Sequence, residues 1–228
     1  MGIVRTLRRR LIDRPFWIDH EPWLKQVHGV IHVGANIGQE RRLYFKRGLR
    51  VLWVEPIPEV FAVLQRNIAH LPGQRAVQAL ITEKAGEEHE LHVASNRGGS
   101  SSILPMKRHA ELWPEVRYER TVRLRSDSLP SLFERLQLRP SDYDFLALDT
   151  QGSELLVLRG AAPLLPHFRF VKVEVADFEA YAGGCLLTDV ERFFAEHGFV
   201  EHARHRFATR PGVGSIYDIV WRRAADRG

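Results

Sequence analysis

The chain has 228 residues, 33 Lys and Arg against 28 Asp and Glu, a formal net charge of +5 and 44% hydrophobic residues, enough for one well-buried domain and too little for two of ordinary size. It holds no run of about 18 apolar residues, and its first residues lack an apolar secretory core, so no membrane span is expected and the cytoplasm is the expected compartment. The single cysteine, Cys185, excludes an internal disulfide and a cysteine-rich zinc site.

Arg5 to Arg14 is a dense basic run with Leu7, Leu11 and Ile12 at roughly helical spacing. It reads as a basic helical extension over residues 1–27, packing on a domain of residues 28–224. A phosphate-binding arm is disfavoured because the other arginines are spread among acids. From there, short apolar runs alternate with helical patterns, the signature of a parallel sheet covered on both faces. The first strand is expected at 29–34, with a helix over Arg41 to Arg47. A second strand at 50–55 precedes a helix from Pro58 to Ala69, and a third strand lies at 75–81.

Glu88 to Ser95 reads as an extra strand and Ser95 to Ser102 as a flexible, turn-rich loop. A strand near Thr121 to Arg125 leads into a helix over Leu129 to Leu136. The fourth main strand, Tyr143 to Asp149, ends in an acid before the helix Leu155 to Gly160. The fifth is Phe170 to Val175. A helix from Leu187 to His197 stops at Gly198, and two late strands, 199–207 and 215–222, read as an antiparallel hairpin.

The chemistry starts at the first turn. Val30 to Val33 feeds Gly34-Ala35-Asn36-Ile37-Gly38, and Val51 to Val54 ends in Glu55-Pro56 about 20 residues on, the layout of a nucleoside-binding strand–helix–strand unit. A dinucleotide turn needs glycines where Asn36 and Gln39 stand, so that backbone can approach a pyrophosphate. Gly34 and Gly38 leave a turn suited to a ligand without phosphates, its ribose hydroxyls held by Glu55. S-adenosylmethionine is such a ligand and NAD is not.

These segments, with Ser100-Ser101-Ser102-Ile103-Leu104, Leu148-Asp149-Thr150-Gln151-Gly152-Ser153-Glu154-Leu155, Leu158-Arg159-Gly160-Ala161, Val173-Glu174-Val175 and Tyr181, resemble the FkbM family of S-adenosylmethionine-dependent methyltransferases over roughly residues 28–222. The resemblance implies a Rossmann-like class I methyltransferase fold: an α/β domain with a mostly parallel seven-stranded sheet and a C-terminal antiparallel hairpin. It implies a cofactor site from His32, Gly34, Ala35, Asn36, Gly38, Glu55, Pro56, Ser101, Ser102, Asp149 and Gln151; by their place after the third strand, Thr82 and Glu83 are candidates for the adenine side. Many family members carry an acid where His32 stands.

An alcohol becomes a competent nucleophile when its proton is drawn off or a metal lowers its pKa. Asp149 and Glu174, closing adjacent strands, are the expected catalytic pair, and they would also be the ligands of a divalent cation if the reaction uses one. Glu154, in the first turn of its helix, reads rather as a cap. The favoured acceptor is a hydroxyl on a small metabolite, sugar or polyketide-like. RNA ribose methylation and a silent nucleoside-binding module are the alternatives. Methylation of base amino groups is disfavoured, since Asp149-Thr150-Gln151-Gly152 lacks the two prolines and aromatic of that chemistry, and methylation of a cytosine carbon lacks a convincing cysteine. His109 is a candidate proton carrier that sequence alone does not place.

Overall fold

The computed structural model describes residues 22–224. In chain order they form β1 (Gly29–Val33), α1 (Arg41–Lys46), β2 (Arg50–Val54), α2 (Pro58–Ile68), β3 (Gln74–Val77), β4 (Leu80–Ile81), β5 (Glu88–Ala94) and α3 (His109–Leu112). After these come β6 (Tyr118–Asp127), α4 (Leu129–Leu136), β7 (Phe145–Leu148), α5 (Glu154–Gly160), β8 (Phe170–Ala176), α6 (Leu187–Glu196), β9 (Phe199–Arg210) and β10 (Gly214–Arg223). One seven-stranded sheet has the order β3-β2-β1-β7-β8-β10-β9, and β4-β6-β5 make a smaller one. The first five strands of the large sheet run parallel, while β10 is antiparallel to both β8 and β9. This is the expected fold, down to the terminal hairpin.

Strand β1 is buried at all five positions, as a parallel strand covered on both faces must be. Because side chains alternate across a strand, Ile31 and Val33 join Leu52, Val54, Leu146, Leu148 and Val173 in a core beneath α4, α5 and α6. Val30 faces the other way with Trp53, Phe145, Phe170 and Val220, under residues of α1 and α2. A 3-10 turn at Pro22–Gln26 closes that second face. Its Trp23 ring lies 5.2 Å from Phe145 and 4.7 Å from Phe170. The basic run expected over Arg5 to Arg14 lies outside the described residues. No helix among those described is long and apolar enough to cross a membrane.

The third expected strand, 75–81, is two strands. β3 pairs only with β2, at the edge of the large sheet, and then Leu80–Ile81 changes sheets to pair with Ser126–Asp127 of β6. Both Leu80 and Ile81 are buried, so the apolar run is continuous in sequence while the pairing is not. Strand period alone does not register such a crossing. Helix α3 was not expected at all, since four residues are too few to show a helical period.

Candidate active site

Strand order reverses between β1 and β7: from β1 the chain proceeds outward to β2 and β3, and from β7 outward to β8. Ligands of open α/β sheets bind beyond the C-terminal ends of strands at such a point. Here a cavity of about 820 Å³ opens there. Its walls come from Gly34 to Ile37, Glu55 to Ile57, Ala79 to Ile81, the loop at 95–101, and Asp149, Gln151 and Glu174.

The glycine turn forms one wall. Gly34 has φ +78°, and a Cβ there would lie 1.8 Å from the Asp149 carbonyl oxygen, so the ends of β1 and β7 approach too closely for any side chain. Asn36 also takes a left-handed backbone, φ +46°. That conformation points its N–H at Glu55 Oε2, 2.8 Å away, while the Ile57 N–H donates to Oε1 at 2.9 Å. Each carboxylate oxygen thus accepts one backbone bond and keeps capacity for a second. Burial pushes the Glu55 carboxyl up to about 7, with the two N–H bonds pulling the other way.

His32 lies in register with Trp53 and Ala147 and stacks on the Trp53 ring at 5.1 Å. Its Nδ1 is 3.4 Å from the Tyr44 hydroxyl and 3.9 Å from Glu40 Oε2. Burial lowers its pKa, so the ring is neutral at pH 7. His32 lines the cavity, and so does Glu40. Glu40, eight residues along, thus brings a carboxylate to the cavity beside His32, which the sequence reading missed.

The loop that reads as flexible in sequence is laced down. Ser100 N–H donates to Asn96 Oδ1 at 3.0 Å, Ser101 Oγ accepts from Ala94 N–H at 3.0 Å, and Ser102 Oγ donates to the Gln151 carbonyl at 2.7 Å. Asn36 Nδ2 donates to the Arg97 carbonyl at 3.1 Å, fastening the loop to the glycine turn.

The opposite wall is a polar network centred on Gln151, another left-handed non-glycine residue, φ +54°. Its Nε2 donates to Asp149 Oδ1 at 2.5 Å and to Glu174 Oε1 at 3.1 Å, and its Oε1 accepts from the Tyr181 hydroxyl at 2.6 Å. The two carboxylates of the expected catalytic pair thus share an amide. Among the described residues no group of three or more His, Cys, Asp and Glu is arranged to hold a metal ion. A donor bound between Asp149 and Glu174 does not suit a cation there.

Glu154 is not the cap the sequence suggests: α5 has no side-chain cap bond, and the Glu154 carboxylate holds the turn before it instead. This carboxylate accepts from Thr150 N–H at 2.8 Å and Gly152 N–H at 2.9 Å, and burial raises its pKa while those bonds oppose the rise. Behind the site, Lys172 Nζ lies 2.6 Å from Asp218 Oδ1. Burial works against this ammonium, yet the attraction of Asp218, with smaller help from Asp149 and Glu40, raises Lys172 above the ordinary lysine value. Burial pushes the Cys185 thiol far up, which makes it a poor nucleophile.

Of the expected site residues, His32, Gly34, Ala35, Asn36, Glu55, Pro56, Ser101, Asp149, Gln151 and Glu174 line the cavity. Gly38, Thr82, Glu83 and Ser102 do not. A Cβ on Gly38 would meet Leu64 Cδ1 at 2.7 Å, so its smallness serves helix packing. The Thr82 hydroxyl is turned to the Lys84 carbonyl at 3.0 Å, and the neighbouring Ala79 to Ile81 take its place in the wall. Trp113 and Val116 also line the cavity, with no periodicity in sequence to mark them.

The fold is shared with solved methyltransferases. Magnesium protoporphyrin IX methyltransferase of Synechocystis PCC 6803 with bound S-adenosylmethionine has 13% identity, a TM-score of 0.52, and coverage of 97% of this chain and 82% of that one. The apo S-adenosylmethionine-dependent methyltransferase SibL has 16% identity and a TM-score of 0.50, over 98% of this chain and 58% of that one. No curated protein matches the sequence. The sequence profile of the methyltransferase FkbM domain matches residues 32–201, and the chain belongs to that family of S-adenosylmethionine-dependent methyltransferases.

Proposed function

We propose that the protein transfers a methyl group to a hydroxyl of a small metabolite, sugar or polyketide-like. The observation that carries this reading is the single cavity edge that joins Glu55 on one wall to the Asp149–Gln151–Glu174 network on the other. S-adenosylmethionine supplies an electrophilic methyl on a sulfonium. Glu55 would take the ribose hydroxyls on its remaining lone pairs. The Gly34 to Asn36 turn, with Glu40, would hold the amino-acid end, and Ile57, Leu80 and Ile81 offer an apolar wall to the adenine. Asp149 and Glu174, already engaged by Gln151, would oppose positive charge at the reacting centre and hold the acceptor in line.

Surface charge supports a small acceptor over RNA. Arg120 pairs with Glu59, Arg135 with Asp127, and Arg204 with Glu191 and Glu201, so these three arginines are already held by acids. Calorimetry with S-adenosylhomocysteine, followed by a mass-detected screen of methyl glycosides, cyclohexanediols and hydroxylated polyketide fragments against purified RNA, tests the reading. Methyl transfer to RNA and to no alcohol would overturn it.

A further inference from the structure

Resting on that reading, we propose that His109 is a catalytic residue and the group that takes the acceptor's proton. Three independent observations place it. First, the ring lines the main cavity alongside Gln151 and Glu174, the network at its reacting end. Second, His109 Nδ1 is buried and has no hydrogen-bond partner, while the residue is only 3% exposed. An unsatisfied buried polar atom of this kind costs about 1–3 kcal/mol and is retained where a ligand or function uses it. Third, the ring is held in place. It packs 4.7 Å from Trp113 and 5.3 Å from Tyr181, and its backbone N–H donates to the Ala180 carbonyl at 3.0 Å.

The carboxylates nearby are already spoken for. Asp149 and Glu174 accept from Gln151, and Glu154 accepts from the turn before α5. A second pocket of about 30 Å³, room for one water, is bounded by His109, Glu154, Glu174, Tyr181 and Cys185. Burial lowers the His109 pKa to about 4, so the imidazole is neutral and able to accept. Low basicity is no obstacle. As the acceptor oxygen bonds to the methyl carbon, the carbon–sulfur bond breaks and its electron pair stays on sulfur as a thioether. In the same step the oxygen, becoming far more acidic than imidazolium as it gains the methyl group, gives up its hydrogen. The proton passes to His109 and from there to solvent.

His109→Phe tests this, because it keeps a ring between Trp113 and Tyr181 and removes both nitrogens. With the alcohol that the wild-type protein methylates best among methyl glycosides and cyclohexanediols, kcat should fall about 10²- to 10⁴-fold while S-adenosylhomocysteine affinity is unchanged. The variant should also regain activity about tenfold per pH unit above neutrality, since it must await an ionised acceptor, while the wild type stays flat. Independently of turnover, the imidazole nitrogen resonances of His109, assigned by their loss in His109→Phe, should move when that alcohol joins the S-adenosylhomocysteine complex. Wild-type turnover in the variant, a parallel pH profile or unmoved resonances would overturn the role. A wild-type protein that binds S-adenosylhomocysteine yet methylates only amines or RNA would instead end the O-methylation reading, and this role with it.

Discussion

Glu55 offers the sharpest test of how the fold recognises its cofactor. Burial and the two backbone bonds leave its carboxyl at about 7 in the free protein, against an ordinary value of 4.5. A carboxylate that accepts ribose hydroxyls favours the ionised form, so binding should lower that pKa and release a proton. Below pH 7 the affinity for S-adenosylhomocysteine should therefore fall, by up to about tenfold per pH unit. Near pH 6 calorimetry in two buffers of different ionisation enthalpy should register close to one proton released.

Glu55→Gln keeps shape and removes charge. Hydrogen bonds to charged groups contribute about 1.5–3 kcal/mol, so the variant should bind S-adenosylhomocysteine about 10- to 150-fold more weakly at pH 8. Stability should move the other way. A carboxyl pKa raised in the folded state means that the fold holds a proton the unfolded chain has released. This contribution is fully present below about 4.5 and lost as pH rises through about 7, where ionised Glu55 weakens the fold by about 3 kcal/mol. The glutamine escapes that cost but turns an amide toward one of the Asn36 and Ile57 N–H groups, losing about 1–3 kcal/mol. Hence the Tm of Glu55→Gln relative to wild type should climb between pH 5 and 8. Equal affinity of variant and wild type at pH 8, or a wild-type affinity flat across that range, would refute the reasoning.

Asp149→Asn should keep the fold and most S-adenosylhomocysteine affinity while turnover falls about 10²- to 10³-fold, measured with an acceptor from the alcohol screen; unchanged turnover would make Asp149 structural. Tyr181→Phe deletes the 2.6 Å bond to Gln151 Oε1 and should lower stability by about 1–3 kcal/mol in a denaturant melt. Lys172→Met strips Asp218 of its ammonium partner inside the sheet and should cost about 3–5 kcal/mol, most of it recovered by adding Asp218→Leu. Gly34→Ala places a methyl on the Asp149 carbonyl, so the ends of β1 and β7 must separate; a soluble variant with wild-type Tm would contradict that packing.

The two halves of the cavity differ in how far apart their parts lie along the chain, and that difference governs what the sequence reveals. The cofactor half is local: β1 delivers Gly34 to Asn36, β2 delivers Glu55, and the bond from Asn36 to Glu55 spans 19 positions of one strand–helix–strand unit. Periodicity and glycine spacing capture such a unit whole. Even here Thr82 was misplaced, because the crossing of Leu80–Ile81 into the small sheet turns its hydroxyl away. The acceptor half is assembled from distant pieces. Ser102 reaches Gln151 across 49 positions, Tyr181 reaches Gln151 across 30, and His109 meets Tyr181 because the Met106–Tyr181 bridge and the bond from His109 N–H to the Ala180 carbonyl join two distant segments. No residue spacing encodes these meetings, so Asp149, just past β7, and Glu174, inside β8 two residues short of its end, were legible as acids at the sheet edge while the amide that joins them was not. The same separation has a functional consequence. Trp113 and Val116 can change the shape of the acceptor half without touching Gly34, Asn36 or Glu55. Substitutions confined to residues 109–117 should therefore alter which alcohol is methylated while S-adenosylhomocysteine binding stays constant, a split between acceptor KM and cofactor Kd that separate titrations would read directly.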